Sequence, residues 1–222
     1  MAVDTVSSQL IVLEGGDASG KTTQFELLKE RLAGRMKFVS FPRYGEPSAA
    51  LLEAYLAGTF GASPYDVNPY IASSFYAVDR AASFLSDWGK NYRAGETVFA
   101  YRYTTSNAIY NAAKLPENEW VGFWTWLEEY EYGKLGLPKP DHVIFLDVPP
   151  GIAQTLLTDR GGGDIHETVR GYQTRCHDAA AAAAKHHGWH MINCAPGVTL
   201  RTVQDINDEL VGLIHECCLL PR

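Results

Sequence analysis

The sequence predicts an α/β fold, a mostly parallel sheet of about five strands flanked by helices. Short apolar runs recur at Leu10–Leu13, Phe38–Phe41, Thr97–Ala100, Val143–Val148 and His190–Ile192. The segments between them carry the three-to-four-residue apolar spacing of helices. The first run, LIVLE, passes into GGDASGKTTQ and then FELLKERLAG, which reads as strand, glycine-rich loop and helix in that order. Such alternation packs as a parallel sheet between helical layers, with ligands gathered at the carboxyl ends of the strands. Functional residues are therefore expected just after each run.

After the first run, Gly15, four further residues, Gly20, Lys21 and Thr22 match the phosphate-binding loop pattern, here spanning 15–22. Glycines let the backbone curl so that successive N–H groups point at phosphate oxygens, and the following helix presents its positive end there. Lys21 is placed to reach the β- and γ-phosphates, and the Thr22 hydroxyl to meet a magnesium ion. Gly15, Gly16, Asp17, Ala18, Ser19, Gly20, Lys21, Thr22 and Thr23 are thus the expected ATP-contacting stretch of a P-loop NTPase-type sheet.

The second run leads into PRYGEPS with Arg43, and the third into YRYTTSN with Arg102. The fourth continues into DVPPG, and the helix after it reaches the glycine-rich TDRGGGDIHE with Arg160. Arg80 lies within a long helical stretch, FYAVDRAAS. Guanidinium groups grip phosphate with paired hydrogen bonds, so arginines around one sheet edge suit a second anion site. The alanine run 179–184 reads as a helix with a closely packed face. In EWVGFWTWLEEYEYGKL, Trp120, Phe123, Trp124 and Leu127 follow helical spacing and Trp126 does not. The surplus aromatic surface makes this stretch a candidate subunit contact.

Composition narrows the class. The chain has 222 residues, 46% hydrophobic and 20% charged, with a net charge of -7. That suits one globular domain over 1–222 and argues against a nucleic-acid partner. No run approaches the roughly 18 apolar residues of a membrane span, and MAVDTVSSQ has no leader character. Cys176, Cys194, Cys217 and Cys218 show no metal-ligand spacing and read as reduced thiols in a cytosolic protein. The Asn-Lys-x-Asp run that selects guanine in switch GTPases is absent.

In LIVLEGGDASGKTTQ, FPRYGEPS, SSFYAVDRAA, YRYTTSNAIY, GLPKPDHVIFLDVPPGIA and DRGGGDIHE, in that order, the chain resembles thymidylate kinase along nearly its whole length. The resemblance implies a nucleoside monophosphate kinase-like fold with a mobile lid at about 159–167. It implies transfer of the γ-phosphoryl of Mg-ATP to dTMP, forming dTDP. Asp17 matches an acidic residue that holds the acceptor's 3′-hydroxyl. Arg43 and Arg102 match arginines around the acceptor phosphate, Arg43 also touching the transferring group. Arg80 matches an arginine that reads a thymine edge, and Tyr76, four residues earlier, an aromatic stacked on that base. Tyr103 matches a residue that crowds the sugar 2′ position, while Ser106, Asn107 and Tyr110 fall where the base pocket is lined. A homodimer is expected by resemblance alone.

Two departures stand out. Many relatives carry an acidic residue directly before the arginine matching Arg102, where this chain has Tyr101; Asp79, Glu14 or Asp17 could compensate, or metal binding is weaker. A charge that stabilises the transferring group sits in the phosphate loop of one branch and in the lid of another. Here the loop position is Ala18 and the lid offers Arg160. The expected catalytic set is Lys21, Arg43, Asp17 and Arg160, although Arg160 could instead only bind ATP. The alternatives are a broader pyrimidine deoxynucleotide kinase that also takes dUMP, and a nucleotide-binding protein with impaired catalysis.

Overall fold

The computed structural model describes residues 8–160, 171–197 and 199–218, with backbone alone at 157–160 and 218. In chain order the principal elements are β1 (Leu10–Gly15), α1 (Lys21–Arg31), β2 (Lys37–Ser40), α2 (Ala50–Leu56), α3 (Pro69–Ser83), α4 (Gly89–Arg93), β3 (Val98–Tyr101) and α5 (Thr104–Tyr110). After these come α6 (Trp120–Glu128), β4 (His142–Asp147), α7 (Pro150–Arg160), α8 (Tyr172–His187), β5 (His190–Asn193) and α9 (Val203–Cys218). Every apolar run read from the sequence forms a strand, with ends shifted by one or two residues. β1 extends through Glu14 and Gly15 because Gly15 still pairs with Leu146.

The five strands lie in the order β2-β3-β1-β4-β5, and all pairings are parallel. β1 is central and buried at every position, as a strand covered on both faces must be. On one face Ile11, Leu13, Ile144, Leu146 and Ile192 pack against Phe25 and Leu28 of α1 and Ile206, Leu210 and Ile214 of α9. On the other, Phe145 joins Ala108, Trp124, Tyr172 and the small face of α8. Ala179, Ala180, Ala183 and Ala184 are the buried alanines of that helix. Their lack of bulk brings α8 close to the segment after α5, where Arg175 donates to the carbonyls of Ala113 and Leu115 at 2.8 and 2.6 Å.

Much of the aromatic stretch packs inside the molecule, while Val121 is exposed and Trp126 and Tyr130 are half-buried. Trp120, Phe123, Trp124 and Leu127 are buried. Trp126 stacks on Tyr130 at 5.3 Å and meets the edge of Tyr70 at 4.6 Å. A more exposed apolar stripe lies instead on Ile71 and Val78 of α3 and continues to Leu85, which is 79% exposed. Seven-residue steps put these three on one side of the helical run.

Two helices run on into π-helical turns, Phe84–Trp88 after α3 and Glu129–Lys134 after α6. A π turn inserts an extra residue and re-aims the side chains beyond it. Glu131, within the second one, is completely buried. No helix among the described residues is long and apolar enough to cross a membrane.

Candidate active site

The carboxyl edge of the sheet collects the loops after β1, β2 and β3. At the end of β1 the paired strand β4 runs so close that a Cβ on Gly15 would stand 2.9 Å from the Leu146 carbonyl oxygen. Gly20, at φ +79°, then caps α1 in the left-handed region that favours glycine. Ala18 adopts φ 59° without that freedom, a local strain of order 1–3 kcal/mol that tends to mark functional loops. Lys21 is buried and donates from Nζ to the Gly16 carbonyl at 2.5 Å, with Ser19 Oγ at 3.4 Å. The ammonium is therefore held at the mouth of the loop.

A cleft of about 880 Å³ covers this loop and is lined by Gly20, Lys21, Thr22, Tyr101 and Arg102, among others. Beside it lies a cavity of about 90 Å³ lined by Tyr76, Arg80, Tyr103, Ser106, Asn107 and Tyr110. Asp17 and Arg102 line both, so they stand where a donor and an acceptor would meet.

Asp17 is the hub. Its carboxylate accepts from Arg102 Nη2 at 3.1 Å, Tyr110 Oη at 3.0 Å and Gln173 Nε2 at 3.1 Å. Burial works against its charge, but Arg102, Lys21 and these hydrogen bonds hold it below the usual aspartate range. Arg102 follows β3 with φ 59° and lies 5.2 Å from the Tyr110 ring centroid. Burial pushes the Tyr110 phenol up, keeping it a neutral donor to Asp17.

Arg80 is 1% exposed and grips Glu131 with two bonds, Nε to Oε2 at 2.7 Å and Nη2 to Oε1 at 2.6 Å. Nη1 donates to the Tyr103 carbonyl at 3.3 Å. Three of its five N–H groups are thus used, and the residue lines the smaller cavity. Tyr76, on the same helical face, lines the cavity with it. The Tyr103 ring sits in the core and its hydroxyl is committed to the Pro138 carbonyl at 3.1 Å. Ser106 donates to Glu14 at 2.7 Å, and Asn107 to the Ser73 carbonyl and Glu131, each at 3.3 Å.

Arg43 is held back from the cavities. Pro42 and Tyr44 line both of them, while Arg43 donates to Asp79 from its backbone N at 2.8 Å and from Nε at 3.2 Å, and to Ser48 from Nη2 at 2.9 Å. Arg160 ends α7, but its side chain and lid residues 161–167 lie outside the described residues.

At the departing position, Tyr101 Oη stands 3.0 Å from Thr22 Oγ1. The three carboxylates that could compensate are otherwise engaged: Asp79 by Arg43 and Ser48, Asp17 as above, and Glu14 by Tyr103 N, Thr105 Oγ1 and Ser106 Oγ. Glu14 is fully buried, and its Oε2 has no hydrogen-bond partner among the described residues.

Several residues at the site were missed by sequence reasoning. Glu131 sits in the acidic stretch LEEYEY, four residues after Leu127 and seven after Trp124 and so on their helical face, but a glutamate among glutamates reads as a solvated charge. Gln173 opens α8. Asn111 is one turn beyond Asn107, which its Nδ2 meets at 3.1 Å; its buried Oδ1 has no hydrogen-bond partner among the described residues, and the residue lines the smaller cavity. Here an i, i+4 scan from Asn107 would have found it.

A third cavity, of about 240 Å³, touches Gly16, Asp17, Gln173 and His177. His177 Nε2 meets Asp147 Oδ1 at 3.0 Å. That hydrogen bond raises the imidazole above its ordinary value, with burial opposing. The stability this pair contributes is complete below about pH 6.5, the unperturbed value, and is lost as pH rises through the higher folded value. Melting curves of the parent and His177→Gln should therefore converge as pH rises above about 6.5. A difference that grows with pH would contradict the pairing.

A phosphate loop after the central strand of a parallel five-stranded sheet, facing a second cavity lined by Arg80 and Arg102, defines a nucleoside monophosphate kinase of the P-loop class. The thymidylate kinase family model matches residues 13–206. The chain belongs to the thymidylate kinase family. Thymidylate kinase of Mycobacterium tuberculosis is 38% identical over 148 residues, 65% of this chain and 68% of that one. The probable thymidylate kinase of Pyrobaculum aerophilum is 28% identical over 185 residues, covering 83% and 88%. The fold matches the solved thymidylate kinase of Candida albicans with a TM-score of 0.69 at 20% identity, over 95% of this chain and 92% of that one.

Proposed function

We propose that this chain transfers the γ-phosphoryl group of Mg-ATP to dTMP, giving dTDP and ADP. The observation that carries the reading is the junction at Asp17 and Arg102, which line both the phosphate-loop cleft and the smaller cavity. In-line phosphoryl transfer asks little covalent chemistry of a protein and much alignment and charge neutralisation. Lys21 is the group for the donor phosphates, Arg102 and a released Arg43 for the acceptor phosphate, and Asp17 the acceptor for a sugar hydroxyl. Among the described residues two N–H groups of Arg80 and the Asn111 Oδ1 have no assigned partner, and they offer donors and an acceptor to a base edge, with Tyr76 beside them. Arg160 remains assigned to ATP and the transferring phosphoryl group.

The test is ADP release from Mg-ATP with dTMP, dUMP, dCMP, dGMP and UMP offered separately. Turnover with dTMP and little with UMP is expected. Since one methyl in an apolar pocket discriminates by only about 10–200-fold, weak dUMP turnover is compatible. ATP binding without acceptor-dependent turnover would overturn the reading.

The residues beside the loop suit a magnesium ion that arrives with its nucleotide. Thr22 is exposed, Tyr101 places a neutral hydroxyl next to it, and no carboxylate bonds either hydroxyl among the described residues. Magnesium keeps several waters and takes phosphate oxygens readily, so Thr22 needs only to complete its shell. When bound, the ion neutralises charge on the β- and γ-phosphates. Tyr101→Asp adds the missing carboxylate and is expected to lower the free magnesium giving half-maximal activity at fixed ATP. An unchanged or higher requirement would remove Tyr101 from the metal's surroundings.

A homodimer is part of the same proposal. The stripe Ile71, Val78 and Leu85 supports it, being exposed and apolar on one helical side. Val78→Glu with Leu85→Glu should halve the mass measured by sedimentation; a parent already at monomer mass would dismiss the dimer.

A further inference from the structure

We propose that His142, His190 and Cys217 form a binding site for a zinc-class divalent ion at the amino edge of the sheet, opposite the phosphate loop. It stands independently of the kinase reading.

The strands bring the donors together. His142 opens β4 and His190 opens β5, and the parallel register sets His190 beside Ile144. Strand alternation then places both histidines on the face of Ile144 and Ile192, the face covered by α1 and α9. On α9 the residues packed there are Ile206, Leu210 and Ile214, and Cys217 lies three residues further on. An apolar row thus ends, at the edge of the sheet, in three metal-ligating side chains from three elements. One donor atom from each lies within 4.8 Å of the other two. The imidazole centroids are 5.9 Å apart, and Gln9 Nε2 pins the end of α9 by donating to the Cys217 carbonyl at 3.2 Å.

The chemistry of the set fits the ion class. Two imidazoles and a thiol favour zinc or another borderline-soft ion over magnesium or calcium, which seek oxygen. With bonds of about 2.0–2.3 Å, tetrahedral donors stand roughly 3.3–3.7 Å apart, so side-chain rotation of about one ångström closes the set. Water fills the fourth position. The neighbouring Asp141 carboxylate is already bonded to Leu10 N at 2.7 Å and does not join. Burial, with His190 nearby, lowers the His142 imidazole and keeps it in the neutral form that ligates. Burial also raises the Cys217 thiol, a preference that a coordinated divalent ion reverses. The six residues of β4 separate this site from the catalytic edge by on the order of 20 Å. Its effect is therefore to tie α9 to β4 and β5, not to act on nucleotide.

Cobalt(II) titrated into the reduced, metal-free full chain provides the test. One equivalent should give the intense visible bands of a tetrahedral ion and a thiolate-to-cobalt charge-transfer band, both bleached by zinc. Cys217→Ser should lose the charge-transfer band, His190→Ala both features, and Cys218→Ser neither. Zinc should raise the melting temperature of the parent and leave that of Cys217→Ser unchanged. A spectrum that stays that of the aqueous octahedral ion, or a charge-transfer band that survives Cys217→Ser, would overturn the site.

Discussion

Arg43→Ala is expected to lower kcat/KM for dTMP by about a hundred- to a thousandfold, the range seen when one preorganised charge-stabilising donor is removed, or about 2.7–4 kcal/mol. The fold should survive, because Asp79 keeps the Arg43 backbone N–H and the Ser48 hydroxyl as donors. Arg43 is only partly buried and sits at the rim, not in the core. The measurement is steady-state kinetics alongside a melting curve. Activity within tenfold of the parent would end its assignment to the acceptor phosphate. The tie between Arg43 and Asp79 also predicts that the side chain must leave Ser48, and at least partly Asp79, to reach a ligand, so its position should differ once dTMP is bound.

Glu131→Ala should cost about 3–5 kcal/mol of stability, because it strands the Arg80 guanidinium in the interior without its bidentate partner. For a chain of this size each kcal/mol shifts the melting temperature by about 2–4 °C, so the loss should be plain in a thermal scan. Thr104 and Asn107 would lose an acceptor in the same step. The paired change Arg80→Met with Glu131→Leu should recover much of the stability, since a buried ion pair replaced by apolar groups is often neutral. It should not recover turnover, because Arg80 lines the smaller cavity. A double variant as unstable as Glu131→Ala would contradict this account.

The strands were legible because each is a short apolar run between helical spacings, and the phosphate loop because glycine, lysine and hydroxyl fall at fixed intervals after the first of them. Arg80, Arg102, Tyr103 and Asn107 could be placed by resemblance to a known family; their actual partners could not. Glu131 was hidden by its charge: it falls at the helical spacing of Trp124 and Leu127, but an ionised side chain is seldom fully buried without a partner, and its partner Arg80 lies on another helix. Asp79 was visible as a carboxylate near Arg80, but its hold on Arg43 bridges two elements and depends on tertiary packing. The donors at His142, His190 and Cys217 have no local spacing at all, and only the strand order brings them to one edge. Tyr103 shows the converse case, in which the residue lines the expected cavity while its hydroxyl serves the core.

The π turn at Glu129–Lys134 also determines how this chain tolerates changes in length. Deleting one residue from α6, ahead of the turn, would rotate the downstream segment by about 100°. Glu131 would swing away from Arg80, and Leu137, which closes the core beneath Tyr103, would be drawn along the axis. A deletion inside the π turn instead removes its extra residue and restores ordinary pitch, so the turn is where a change of length between the acceptor cavity and the fourth strand is absorbed. Chimeras between this chain and relatives lacking the extra residue should therefore be joined outside Glu128–Leu137, where neither partner has to change its phase.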